Sequence, residues 1–196
     1  MARPVLQVVI ASTRPGRIGP AFARWFVARA EQHGEFDVEV IDLAEVALPF
    51  MDEPHHPRLA RYQHQHTKDW SATVSRADAF VFVTPEYNYG YNAVLKNAID
   101  YLHNEWADKA LGFLSYGGVA AGTRSVQQLK QVVTALRMVP VVEAVNVPFA
   151  AQFLDDAREV RPNDVMNSSA DAMLTELARL TARLRPAPAP VQSAAV

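Results

Sequence analysis

Three short runs constrain this 196-residue chain more than anything else in it. Val5-Leu6-Gln7-Val8-Val9-Ile10, Ala79-Phe80-Val81-Phe82-Val83-Thr84 and Ala110-Leu111-Gly112-Phe113-Leu114-Ser115 are almost continuously apolar. A strand with one wet face alternates polar and apolar residues; a run that does not alternate belongs to a parallel sheet covered on both faces. Between the runs the period becomes helical. Phe22, Trp25, Phe26 and Arg29-Ala30 recur at helix spacing within Ile18 to Gln32, and Gly34 stops that helix. Phe36 to Leu43 alternates as a half-buried second strand, and Ala44 to Pro57, with three prolines, reads as a long surface loop.

Arg58 to Arg76 reads as a helix with Tyr62, His66, Trp70 and Val74 in one stripe. Further helices are expected over about Asn92 to Asn104, Thr123 to Arg137 and Ser168 to Arg185, with a fifth strand in Val139 to Val147. This alternation, with right-handed crossovers, predicts an α/β three-layer sandwich. Five strands favour the flavodoxin-like order 2-1-3-4-5 over the longer six-stranded dinucleotide fold. One domain over 1–185 and a disordered Pro/Ala-rich tail over 186–196 complete the expected organisation.

Charge and composition narrow the function classes. A formal net charge of -2 makes no electrostatic case for nucleic acid or a membrane surface as partner. No apolar run approaches the roughly 20 residues that span a bilayer, and the N-terminal run reads as a strand rather than a signal peptide. Cysteine is absent. That excludes disulfides, thiolate metal ligands and a cysteine nucleophile, and it fits a reducing, cytoplasmic setting.

In an open parallel sheet, ligands bind beyond the carboxyl ends of the strands, where strand order reverses. The loops after the first, third and fourth strands meet there, and they are the least ordinary segments of the chain. Ser12-Thr13-Arg14-Pro15-Gly16-Arg17-Ile18-Gly19 opens a helix and offers main-chain N–H groups, hydroxyls and guanidiniums suited to a phosphate monoester. It lacks the glycine spacing of a dinucleotide fingerprint and the Gly-Lys-Ser/Thr of a P-loop. A solvated turn capped by Ser12 is the plainer reading of the same residues. Thr84-Pro85-Glu86-Tyr87-Asn88-Tyr89-Gly90-Tyr91-Asn92 is a rigid, polar-aromatic loop that suits either a flat heteroaromatic edge or a packing or subunit contact. In Ser115-Tyr116-Gly117-Gly118, the paired glycines allow close approach of backbone to ligand or simply satisfy a turn.

Together these segments resemble the NADPH-dependent FMN reductase family, which includes azo-dye, chromate and quinone reductases. The resemblance is carried by Ser12-x-Arg14, by Pro85-Glu86-Tyr87-Asn88 followed by Leu95-Lys96-Asn97-Ala98-Ile99-Asp100, and by Gly117-Gly118-x-x-x-Gly122-x-Arg124. It implies that Ser12, Arg14, Arg17, Ile18 and Gly19 hold the FMN phosphate. Pro85, Glu86, Tyr87 and Asn88 would meet the isoalloxazine ring, largely through main-chain atoms, and Ser115, Tyr116, Gly117 and Gly118 would line its other polar side. Many members have serine where this chain has Arg17, which would pair with the phosphate or point to solvent or a partner subunit.

The resemblance further implies NADPH (or NADH) as co-substrate, a small-molecule electron acceptor, and a ping-pong exchange with no catalytic side chain. It implies a homodimer, possibly a tetramer, in which the helix around Leu95 to Leu102 packs on its mate. A flavin-binding electron carrier or sensor is the competing class; the weak net charge disfavours a carrier that docks on basic partners. His55-His56 and His64-x-His66 lack a metal-ligand spacing and are expected at the surface or a pocket rim, with no metal site. Lys96, Asp100 and Arg124 are expected in ion pairs, caps or interfaces.

Overall fold

The computed structural model describes residues 2–185, so the expected tail at 186–196 lies outside the described residues. Strands β1 (Val5–Ile10), β2 (Asp37–Asp42), β3 (Ala79–Pro85), β4 (Ala110–Tyr116) and β5 (Val139–Val147) form one parallel sheet of order β2-β1-β3-β4-β5. That is the expected flavodoxin-like order. Every residue of β3 and β4 is buried, as their unbroken apolar runs require, whereas no residue of the edge strand β2 is fully buried.

The two-residue period of a strand sorts its side chains onto two faces. Val8, Ile10, Val81 and Val83 join the core under α1 (Gly19–His33) and α6 (Asp164–Leu184). Val9, Phe80, Phe82 and Phe113 join the core under α3 (Gln65–Ser75), α4 (Ala93–Asp100) and α5 (Thr123–Ala135). Trp70 and Trp106, whose places the sequence leaves open, are core residues here. Their indole N–H groups donate to the C=O of Ala98 at 2.8 Å and of Ile99 at 3.0 Å, pinning the end of α4. Gly112 in the middle of β4 has its own reason. A Cβ there would lie 2.8 Å from Met173 Sδ, so glycine lets α6 sit close to the sheet.

Several element bounds differ from the sequence expectation, each for a tertiary reason. The stretch from Arg58 to His64 is not helical. A 3₁₀ turn at Pro57–Leu59 stops at Ala60 (φ 49°), and the Glu53 carboxylate then accepts from Gln63 N–H at 2.9 Å and His64 N–H at 3.0 Å. Glu53 thus fixes the chain just before α3, which has no side-chain cap of its own. Within the expected loop, α2 (Leu43–Val46) adds one turn, capped by Asp42 accepting from Ala44 N–H. Helix α4 ends at Asp100 rather than Asn104, since Trp106 folds back on Ile99, and α5 ends at Ala135. Helix α6 starts at Asp164, four residues earlier than Ser168, because Asn163 Oδ1 accepts from Met166 N–H at 2.9 Å.

Candidate functional site

Above the carboxyl edge of β1, β3 and β4 lies an open cavity of about 660 Å³. Arg14, Arg17, Ile18, Pro85, Glu86, Tyr87, Tyr116, Gly117 and Gly118 line it, so all three unusual loops contribute. The volume is that of a small-molecule site, within the usual range of roughly 300–1,000 Å³.

The first loop is built on a type II turn. Pro15 and Gly16 occupy its centre, Gly16 at φ 73°, and Arg17 N–H closes it on Arg14 C=O at 3.0 Å. Helix α1 then begins behind Ile18 with no side-chain cap. Among the described residues the main-chain N–H groups of Thr13, Arg14, Ile18 and Gly19 find no protein acceptor, and Arg14 makes no ion pair. Unpaired donors, a helix N-terminus and a free guanidinium share one rim, an arrangement that attracts an anion.

Arg17 lines the same rim but is already engaged. Its guanidinium donates to both Asp42 oxygens at 2.5 and 2.6 Å and to Ser12 C=O at 2.6 Å, tying the loop to the end of β2. The bond to Asp42 holds its proton still more firmly than usual. Ser12 and Gly19 lie just behind the wall. Tyr116 donates its hydroxyl to Ser12 Oγ at 3.1 Å, and a Cβ on Gly19 would come within 2.7 Å of that Oγ and 2.8 Å of the phenol oxygen. Glycine is the residue that admits this contact.

The second loop is a two-residue hairpin turn. Tyr87 and Gly90 exchange main-chain hydrogen bonds at 3.0 Å, with Asn88 (φ 48°) and Tyr89 (φ 71°) both left-handed between them. Asparagine tolerates that conformation; tyrosine is held in it. The Arg124 guanidinium lies 3.9 Å over the Tyr89 ring, and Gln128 donates to Tyr89 C=O at 3.0 Å. Glu86 N–H donates to Tyr116 C=O, so the donors of Glu86 and Tyr87 are both satisfied internally. Asn88 sits at the exposed turn, away from the cavity wall. Glu86 also accepts from Arg124, at 2.8 Å from the guanidinium and 3.2 Å from the main-chain N–H, which locks this loop to the start of α5.

In the third loop Ser115 is buried and turned away: its hydroxyl donates to Ala121 C=O at 2.8 Å. Gly117 and Gly118 form the wall, and their carbonyls accept from Ala150 and Phe149 N–H at 3.1 Å each. This ladder brings in a fourth segment, Phe149-Ala150-Ala151-Gln152, that no motif in the sequence marks as lining a site. Its position after the last strand is the one signal that the sequence offers for it. Phe149 is 57% exposed and holds a left-handed φ of 46°, an uncommon conformation for a bulky side chain.

The Tyr116 phenol is pushed up to about 12 by burial. Its unfolded value is near 10, so its contribution to stability is full below pH 10 and is lost as pH rises through about 12. Tyr116→Phe is expected to lose about 1 kcal/mol at pH 8 with the Ser12 bond. The gap to the parent protein should shrink at pH 11, read from urea unfolding midpoints. A gap that stays constant with pH would show that the phenol titrates alike in both states.

Strand order and a ligand-sized cavity where that order reverses define a flavodoxin-like α/β protein whose site is assembled from loops. Comparison with known proteins agrees. The profile of the NADPH-dependent FMN reductases matches residues 5–152. An NAD(P)H-dependent FMN reductase of Schizosaccharomyces pombe is 40% identical over 149 residues, 74% of each chain. Another, from Saccharomyces cerevisiae, is 34% identical over 142 residues, 67% of this chain and 74% of its own. In fold, the chain is similar to the flavoenzyme NAD(P)H:(acceptor) oxidoreductase FerB of Paracoccus denitrificans, with a TM-score of 0.73 at 18% identity over 92% of this chain and 98% of that one. The chain belongs to the NADPH-dependent FMN reductase family, and is thus an oxidoreductase that works with FMN and a reduced nicotinamide. Among the described residues no helix is long and apolar enough to cross a membrane.

Proposed function

We propose that FMN lies in the cavity with its phosphate on the Ser12–Gly19 loop and its ring system between Pro85–Tyr87 and Tyr116–Gly118, and that NAD(P)H and a small-molecule acceptor then exchange electrons through it in turn. The acceptor would be a quinone, azo compound, metal oxyanion or free flavin. The observation that carries this reading is the rim at the start of α1, where unpaired N–H groups and Arg14 meet a cavity with apolar walls at Ile18, Pro85, Phe149 and Ala150. A planar ligand with an anionic tail fits those two regions; no Cβ at Gly118 intrudes, since nothing lies within 4 Å of that position.

When bound, FMN accepts hydride from the nicotinamide and delivers electrons to the acceptor. The chain's own groups bind and orient. Glu86 on the wall is tied to Arg124, and burial keeps the Tyr116 phenol neutral at physiological pH. In this reading the oxidised nicotinamide leaves before the acceptor enters, a ping-pong exchange. A homodimer built on α4 belongs to the same reading. Its support is the loop laid along that helix: Asn97 and Tyr101 bind the C=O of Pro49, leaving Phe50 84% exposed beside them. A cytoplasmic setting is supported by the cysteine-free composition.

The test is anaerobic titration of the FMN-loaded protein with NADPH and with NADH, followed by a quinone. Bleaching of the bound flavin, with colour restored by the quinone, is the expected result. Flavin that binds tightly but resists both nicotinamides would replace the reductase by an electron carrier.

A further inference from the structure

The family match ends at residue 152, and the chain then makes an excursion before α6 that reaches back to the first loop. Leu154 bridges Val160 in a short hairpin. Its tip is a turn closed by Arg158 N–H on Asp155 C=O at 2.8 Å, followed by Asp155 N–H on Glu159 C=O at 3.0 Å. In a three-residue hairpin loop of this kind, the position after the turn is left-handed, and glycine is the residue that suits it. This chain puts Arg158 there, at φ 60°. The Arg158 guanidinium extends across to the first loop and donates to Gly16 C=O at 2.9 Å. Beside it, the Glu159 carboxylate accepts from Arg24 on α1 at 2.7 and 3.2 Å.

Two adjacent residues thus grip the turn before α1 and the helix itself. The turn needs such a grip: residues 13–16 are exposed, and Arg17 ties the flanks of the loop to Asp42 and Ser12 C=O without holding the Pro15-Gly16 turn between them. We infer that Arg158 is a positioning residue for the phosphate-binding loop, holding the Arg14–Arg17 turn in the shape that directs its N–H groups at the phosphate. The inference rests on the phosphate placement proposed above. A left-handed arginine is unfavourable locally, so its bond to Gly16 supplies what glycine cannot.

Arg158→Gly separates this role from a merely structural one. Glycine relieves the backbone, so the melting temperature of the flavin-free variant should equal or exceed that of the parent. Its FMN dissociation constant should nevertheless rise roughly tenfold, the order expected for loss of one charge-assisted hydrogen bond, while riboflavin, which lacks the phosphate, binds as before. Arg158→Met keeps the reach of the side chain without the donor and should share the loss, and the loss should persist at high salt, where a purely electrostatic effect of the charge on the phosphate is screened. Unchanged FMN affinity in Arg158→Gly would overturn the inference, as would a loss that disappears at high salt, which would assign the effect to charge alone. If the parent protein itself fails to prefer FMN over riboflavin, the phosphate placement falls, and the inference with it.

Discussion

Gly122→Ala is expected to destabilise the protein by about 3–5 kcal/mol, a large share of the total of roughly 5–15 kcal/mol typical of a domain. Gly122 sits before α5 at φ 82°, a conformation that already disfavours alanine. The added Cβ would also lie 2.8 Å from Ser115 Cβ, 2.8 Å from Tyr116 N and 3.1 Å from Tyr116 O. Two of those neighbours are backbone atoms of β4 and cannot swing aside. Moving Tyr116 would in turn pull on Glu86, whose N–H donates to Tyr116 C=O, so flavin binding should suffer with stability. Gly118→Ala is the control: with no atom within 4 Å and no left-handed φ, it should change stability by less than about 0.5 kcal/mol. Urea unfolding of the two variants side by side decides the matter. A loss below about 1 kcal/mol in Gly122→Ala would mean that the β4 terminus relaxes freely.

Arg14→Ala should weaken FMN binding by roughly 10- to 100-fold and leave riboflavin binding and apo stability nearly unchanged. Arg14 is exposed on the cavity rim and makes no ion pair among the described residues, so removing it leaves no orphaned partner. Arg17→Ala should behave in the opposite way. Its guanidinium is bound to Asp42, so that variant should lose stability first and flavin only as a consequence. Fluorescence titration with FMN and riboflavin, paired with melting curves, separates the two arginines. Equal losses for both ligands in Arg14→Ala would remove the phosphate from this rim.

The two arginines also show where sequence reasoning reached and where it stopped. The buried runs dictated strand identity, and strand count with right-handed crossovers left the observed sheet order. The three loops followed from their place after β1, β3 and β4, because a parallel sheet sends those ends to one edge. What Arg17 does depended on Asp42, a residue on another strand with no local mark of the pairing. The start of α3 depended on Glu53 in the same way. Phe149 to Gln152 carry no motif at all; they reach the cavity through main-chain bonds to Gly117 and Gly118, which any side chains could have made. Local pattern reveals elements and turns, while partners far apart in the chain appear only once the fold brings them together.

The cavity draws on residues near position 14 and others near position 152, almost the full span of the sheet. A chain emerging from the ribosome has three of the four walls well before β5 and the segment behind it are available to supply the last. With FMN placed there as proposed, its capture would follow completion of the sheet rather than guide it. Placed as proposed above, the cofactor would link the first loop to the last, and its binding energy would oppose opening of the whole edge. In that placement the FMN-loaded protein should resist opening of the carboxyl edge more than the flavin-free protein does.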